Sequence, residues 1–147
     1  MSHSYTNNYV HVIYSTKNRE NLIPPEFEKR LYPFIASVAQ THGIPLLAAG
    51  GTPNHIHLLF CLPATISLAS AVNTFKTNSS RFMHEQGLSF QWQNGYGAFS
   101  VSLSQLDRVT AYIRGQHEHH KATDFEQEFI ALLKRAGISY DAQFVFG

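Results

Sequence analysis

The sequence predicts an α+β fold in which one antiparallel sheet carries two helices on one face. Three observations predict it. Runs rich in β-branched, aromatic and other apolar residues recur at 9–15, 44–49, 54–62 and 96–102. Two stretches with apolar residues at helical spacing, 25–42 and 67–86, lie between the first and second and between the third and fourth runs. Only a few residues separate the second run from the third, which predicts a hairpin. The order β-α-β-β-α-β is the split βαβ arrangement of ferredoxin-like domains, in which the first and third strands are central neighbours.

Each element has its own local reason. Tyr9-Val10-His11-Val12-Ile13-Tyr14-Ser15 forms the first strand, followed by the polar loop 16–21. Pro24-Pro25 opens a helix whose stripe is Phe27, Leu31, Phe34, Ile35, Val38 and Ala39, with Gly43 placed to stop it. Ile44 to Ala49 reads as the second strand, broken by Gly50-Gly51, and Asn54 to Leu62 as the third. Ser67 caps a helix with the stripe Leu68, Ala71, Val72, Phe75, Phe82 and Met83, ending before Gly87. The turn Gln93-Asn94-Gly95 then leads into extended Tyr96 to Ser102. Ser104 to Asp107 resembles a capping box that starts a third helix running to Lys121, with a thin stripe of Leu106, Val109, Tyr112 and Ile113. A fourth helix runs from Asp124 through Phe125, Phe129, Leu132 and Leu133 to Ala136, and Gly137 ends it. The tail closes on Phe144-Val145-Phe146, too apolar for a free end, so it is expected to dock. The expected organisation is one domain over 1–147: a core of about 8–102, the third helix at 104–121, and a last helix and tail at 124–147.

Composition narrows the function classes. At 147 residues and 44% apolar, the chain can bury a core without disulfides, and its single cysteine, Cys61, excludes an internal disulfide framework. No apolar run approaches the roughly 20 residues of a membrane span, and the start of the chain lacks a signal pattern, so a cytoplasmic protein is expected. Net charge is +1, spread unevenly. Residues 67–121 hold five Lys/Arg against three Asp/Glu, whereas residues 122–147 hold two against four. That imbalance alone does not identify a nucleic-acid binder.

The chemistry-bearing stretch is Thr52 to Phe60. Side chains alternate along a strand, so His55 and His57 share a face while Ile56, Leu58 and Phe60 share the other. Their Cα atoms lie roughly 7 Å apart at about 3.3 Å per residue, close enough for both rings to address one ion or one phosphate. The pair offers ligands and no nucleophile. Tyr112 and Gln116, four apart on the third helix, share one of its faces, with Arg108 a turn earlier and His119 and His120 a turn later. Together with the histidine pair they supply two imidazoles, an amide oxygen and a phenol. Cys61, roughly 13 Å along the strand from His57, is too far to join them and reads as core.

His55-Ile56-His57 after Pro53-Asn54, the run Trp92 to Ser102, and Tyr112-Ile113-Arg114-Gly115-Gln116-His117-Glu118-His119-His120 resemble the single-tyrosine HUH transposases, small enzymes that move insertion sequences as single-stranded DNA. The resemblance runs from the first strand to about Tyr140. It implies that Tyr112 is the nucleophile, that His55, His57 and Gln116 hold Mg²⁺ or Mn²⁺, and that no nucleotide cofactor is needed. It also implies a DNA hairpin near the element end as partner, and a homodimer in which the tyrosine helix can be exchanged between subunits, leaving assembly in cis or in trans open. Relatives often carry Asp where Asn54 stands, so the resemblance assigns that position no role.

Plain structural roles stand beside these. Lys76, Arg81, Arg108 and Arg114 are solvated charges by default and candidate phosphate contacts, and His120 is a candidate contact to metal or DNA. Trp92 and Tyr96 suit base stacking and core packing alike. A non-catalytic nucleic-acid-binding module and a phosphodiesterase using water, with Tyr112 structural, remain open alternatives. The missing RNP1-type aromatic signature speaks against an RNA-recognition sheet.

Overall fold

A computed structural model describes residues 3–120 and 123–146. The strands β1 (Tyr9–Ser15), β2 (Leu46–Thr52), β3 (His55–Cys61) and β4 (Gly97–Val101) form one sheet of order β2-β3-β1-β4 with every pairing antiparallel. This is the ferredoxin-like order expected, with β1 and β3 central. Helices α1 (Pro25–Thr41) and α2 (Leu68–Glu85) cover one face, where Val10, Val12, Tyr14, Ile56, Leu58 and Phe60 meet Leu31, Ile35, Ala71, Val72 and Phe75 in the main core. Ser67 caps α2 by accepting from the Ser70 N–H at 3.1 Å. Trp92 lies in this core, its indole N–H donating to Ser79 Oγ at 2.9 Å, and Tyr96 packs against the same cluster.

The opposite face is covered by the C-terminal helices α3 (Leu106–Arg114), α4 (Gln116–His119) and α5 (Phe125–Arg135). Ile13 packs under Phe125, Phe129 and Leu133, while Ala48 and Leu59 pack under Ile113. The docking expected of the tail is observed, since Val145 and Phe146 pack on the Phe125–Phe129 cluster. Arg19 braces Phe146 by stacking 5.2 Å from its ring centroid and donating to its carbonyl at 3.0 Å.

Four local expectations are corrected. The second strand does not stop at Ala49 but continues through Gly50-Gly51 to Thr52, because these small residues admit neighbouring backbone. The third helix is not continuous: it ends at Arg114 and restarts at Gln116 around Gly115, and its expected end at Lys121 lies outside the described residues. The expected cap at Ser104 is not formed. Leu103–Gln105 instead makes a short 3₁₀ turn, and the capping box stands at Asp124 with Gln127. Cys61, read as core, is only half-buried at the end of β3. Among the described residues no helix is long and apolar enough to cross a membrane.

Candidate active site

The histidine pair stands on β3 with the parity the strand dictates, and both rings are fully buried between sheet and C-terminal helices. In the β1–β3 register Ile13 faces His57 and Leu59 faces His11, so His11 and His57 are diagonal neighbours on one face. Their rings stack at 5.0 Å between centroids, with His11 Nε2 2.8 Å from His57 Nδ1. His55 faces Thr52 across the β2–β3 ladder. Its Nδ1 lies 2.9 Å from Thr52 Oγ1 and 2.8 Å from Asn54 Oδ1. Asn54 donates from its amide nitrogen to the Arg19 carbonyl at 3.3 Å, which turns its oxygen toward His55. Asn54 thus has a definite place, orienting one imidazole from behind.

The C-terminal helices bring the remaining groups. Gln116, 1% exposed, opens α4. Its amide nitrogen donates to the Tyr112 carbonyl at 3.3 Å, which points its oxygen at His55 Nε2, 3.2 Å away. The Tyr112 ring stands edge-on to His57 at 5.6 Å and to His11 at 6.1 Å between centroids. The structure therefore gathers Tyr112, Gln116, His55 and His57 at one place within one chain.

Glu128 on α5 is the member that sequence reasoning missed. Only 2% of the residue is exposed. Its Oε1 lies 3.3 Å from His55 Nε2, 3.1 Å from His57 Nε2 and 3.0 Å from His120 Nε2, and its Oε2 lies 3.5 Å from His119 Nε2 and accepts from the Tyr112 hydroxyl. A signal was present. Glu128 falls between Phe125 and Phe129 at helical spacing, a lone carboxylate in the apolar stripe, where an unpaired charge is not tolerated.

The electrostatics follow from burial and neighbours. Burial lowers His57 to about 4, against the opposing pull of Glu128, and lowers His11 to about 3, with His57 adding to the effect. Burial alone would raise the Glu128 carboxyl, but the hydrogen bonds from His120, His55 and His57 together outweigh it and hold it well below the usual carboxylate range. Burial, then the bond to Glu128, raises the Tyr112 phenol above its ordinary value.

One ligand atom each from His55, His57, His120 and Glu128 lie within 4.8 Å of one another. Adjacent ligands around a metal with bonds of about 2.0–2.2 Å stand roughly 3.0–3.4 Å apart, which matches the separations from Glu128 to the three imidazoles. The donor set fits a divalent ion, and its imidazoles suit transition ions better than ions preferring oxygen alone. A cavity of about 350 Å³, lined in part by Asn54, His117, His120 and Phe125, borders the cluster.

The basic residues lie elsewhere. Arg108 and Arg114 are exposed on α3, and Arg81 is exposed on α2. Lys76 Nζ donates to the carbonyls of Gln93 at 2.8 Å and Gly95 at 2.6 Å, so it pins the loop before β4, and burial lowers it to about 8. Lys76, Arg81, His84, Trp92 and Asn94 line a polar groove of about 550 Å³. His120, 4.4 Å from His55 between ring centroids, is a member of the buried cluster.

Residues 4–116 match the pattern of the family described as transposases, IS200 like. The transposases for insertion sequence element IS200 of Salmonella typhimurium and Salmonella typhi are each 24% identical to this chain over 129 residues, covering 82% of it and 84% of their own length. A putative transposase from Deinococcus radiodurans R1 shares the fold with a TM-score of 0.61 at 22% identity, covering 77% of this chain and 94% of that one. A REP-associated tyrosine transposase bound to a REP hairpin does so with a TM-score of 0.57 at 19% identity, covering 77% and 70%.

Proposed function

Because the chain belongs to the IS200-like family of transposases, we propose that it cleaves and rejoins single-stranded DNA through a covalent bond to Tyr112. One observation carries this reading: the half-buried Tyr112 phenol, the buried histidine pair and the Gln116 amide oxygen meet in a single cluster. His55, His57 and Gln116 would hold a divalent ion, Mg²⁺ or Mn²⁺, which when bound would polarise the scissile phosphate and stabilise the charge that builds on it.

The chain's own residues do the rest. The Tyr112 oxygen attacks phosphorus, the bond from phosphorus to the 3′ oxygen breaks, the phenol gives up its proton and the leaving oxygen gains one. The products are a 5′-phosphotyrosyl strand and a free 3′-OH. Attack by a second 3′-OH restores a phosphodiester and frees Tyr112, so the cycle conserves bond energy without a nucleotide cofactor. Asn54 and His11 fix the two ligand rings from behind, and the burial that raises Tyr112 keeps its proton in place until substrate arrives.

Arg81, Arg108 and Arg114 are exposed and so available to phosphates, and Lys76 keeps one ammonium donor beyond those spent on the loop. The REP hairpin bound by one protein of similar fold supports a DNA hairpin as this chain's partner.

The test is incubation with labelled single-stranded DNA and Mn²⁺, followed by a denaturing gel. The expected result is a protein–DNA adduct from the wild type and none from Tyr112→Phe, with DNA binding retained. Cleavage without any adduct would make water the nucleophile and overturn the proposal.

A further inference from the structure

The family match ends at Gln116, yet two of the groups that close the cluster, His120 and Glu128, lie beyond it. The Glu128 side chain is 1% exposed, and its carboxylate is shared between two kinds of partner. Oε1 faces the Nε2 atoms of His55, His57 and His120, through which these imidazoles can bind metal, while Oε2 accepts from the Tyr112 hydroxyl. Metal side and nucleophile side meet on one planar, two-oxygen group.

The helix that carries it is built to aim it. The Asp124–Gln127 capping box fixes the start of α5 one turn before Glu128. Phe125 and Phe129, on either side of it, anchor α5 to Ile13 in the sheet. On the outer face Glu126 pairs with Arg19 at 2.8 Å, and Arg19 also holds Phe146. A buried carboxylate with no role beyond packing would be an expensive choice, since an apolar residue or Gln fills similar volume without desolvating a charge.

We propose that Glu128 is a positioning residue that links the two halves of the site, its Oε1 joining His55, His57 and His120 around the metal while its Oε2 holds the Tyr112 hydroxyl beside them. This rests on the reading of Tyr112 as nucleophile, and it adds a metal ligand and an anchor for the phenol contributed by α5. Holding the phenol against the metal-binding group restricts the attacking oxygen to one location, which raises the fraction of encounters in reactive geometry.

The test compares wild type, Glu128→Gln and Glu128→Asp, each first checked by thermal melt. Mn²⁺ binding is followed without DNA by the electron paramagnetic resonance signal of the free ion. Adduct formation on labelled single-stranded DNA is followed at saturating Mn²⁺. Glu128→Gln is expected to bind Mn²⁺ about 10–100-fold more weakly and to form adduct at least about tenfold more slowly even when saturated, a deficit that extra Mn²⁺ does not repair. Glu128→Asp, one methylene shorter, is expected to regain most of the Mn²⁺ affinity while the adduct rate stays low, a split that loss of packing does not produce. If Glu128→Gln fails to fold, the Asp variant decides alone.

Wild-type affinity together with wild-type adduct rate in either folded variant would overturn the assignment. Absence of adduct from the wild type under every metal condition would instead sink the nucleophile reading. The Mn²⁺ titration would then still decide whether Glu128 is a ligand.

Discussion

His57 takes its properties from a line of neighbours: His11 Nε2 stands 2.8 Å from its Nδ1, and Glu128 Oε1 stands 3.1 Å from its Nε2. With both histidines neutral, each bond in the line has one donor: His11 donates to His57, and His57 donates to the carboxylate. The consequence is acid sensitivity with a definite sign. In the unfolded chain both rings take a proton near the ordinary 6.5, whereas in the folded chain His57 does so at about 4 and His11 at about 3. Below about pH 6.5 the unfolded state therefore binds more protons, and stability falls as pH drops toward the folded values. By pH 5 a histidine shifted this far removes about 2 kcal/mol. Thermal melts of the metal-free protein between pH 7 and pH 5 should show this loss, and His11→Gln should show a smaller one; parallel slopes for the two proteins would sink the account. At this scale the sequence was readable where spacing carries the information, as in the parity of His55 and His57 and the four-residue step from Tyr112 to Gln116. At Glu128 the sequence carried only its place in the Phe125–Phe129 stripe and no partner for the charge, because a glutamate on an amphipathic helix reads as solvated until the helix has a neighbour on every side.

The closeness of α3 to the sheet depends on β2. Gly50 lies opposite His57 in the ladder, and a Cβ there would stand 2.4 Å from the carbonyl oxygen of Ile113. The glycine lets the tyrosine helix descend onto the strand that backs the histidines, and the restart at Gly115 then turns Gln116 inward. Gly50→Ala should lower stability by roughly 1–3 kcal/mol, as overpacking does, and should slow adduct formation by shifting Tyr112 and Gln116 away from His55. Chemical denaturation measures the first effect, and unchanged stability would show that the approach is not tight. Locally, Gly50-Gly51 looks like a strand break, because glycine in a strand gives up side-chain packing and gains unfolded-state freedom. The strand continues because what packs there is the backbone of another element, which a window of neighbouring residues does not contain.

The whole molecule is three layers: α1 and α2, the sheet, and α3 to α5. The third layer converts a sheet face bearing imidazoles into an enclosed site, and it does so with the chain's own Tyr112, Gln116 and Glu128. This arrangement predicts assembly in cis. Mixing Tyr112→Phe with His57→Ala, each inactive alone, should yield no more adduct than either variant by itself. Restored adduct in the mixture would mean that the tyrosine helix serves the histidine pair of another chain.

Periodicity, capping residues and residue parity determined the four strands, the first two helices and the shared face of the histidine pair, because each of these is a short-range property of the chain. What the tertiary structure alone decided is which residues far apart in sequence share one buried volume. Burial of both sheet faces brings α5 over β3, and only then does Glu128 become a carboxylate that must be satisfied by the histidines and by Tyr112. The physical reason is desolvation: a charge excluded from water requires partners, and the fold as a whole determines which groups lose their water together.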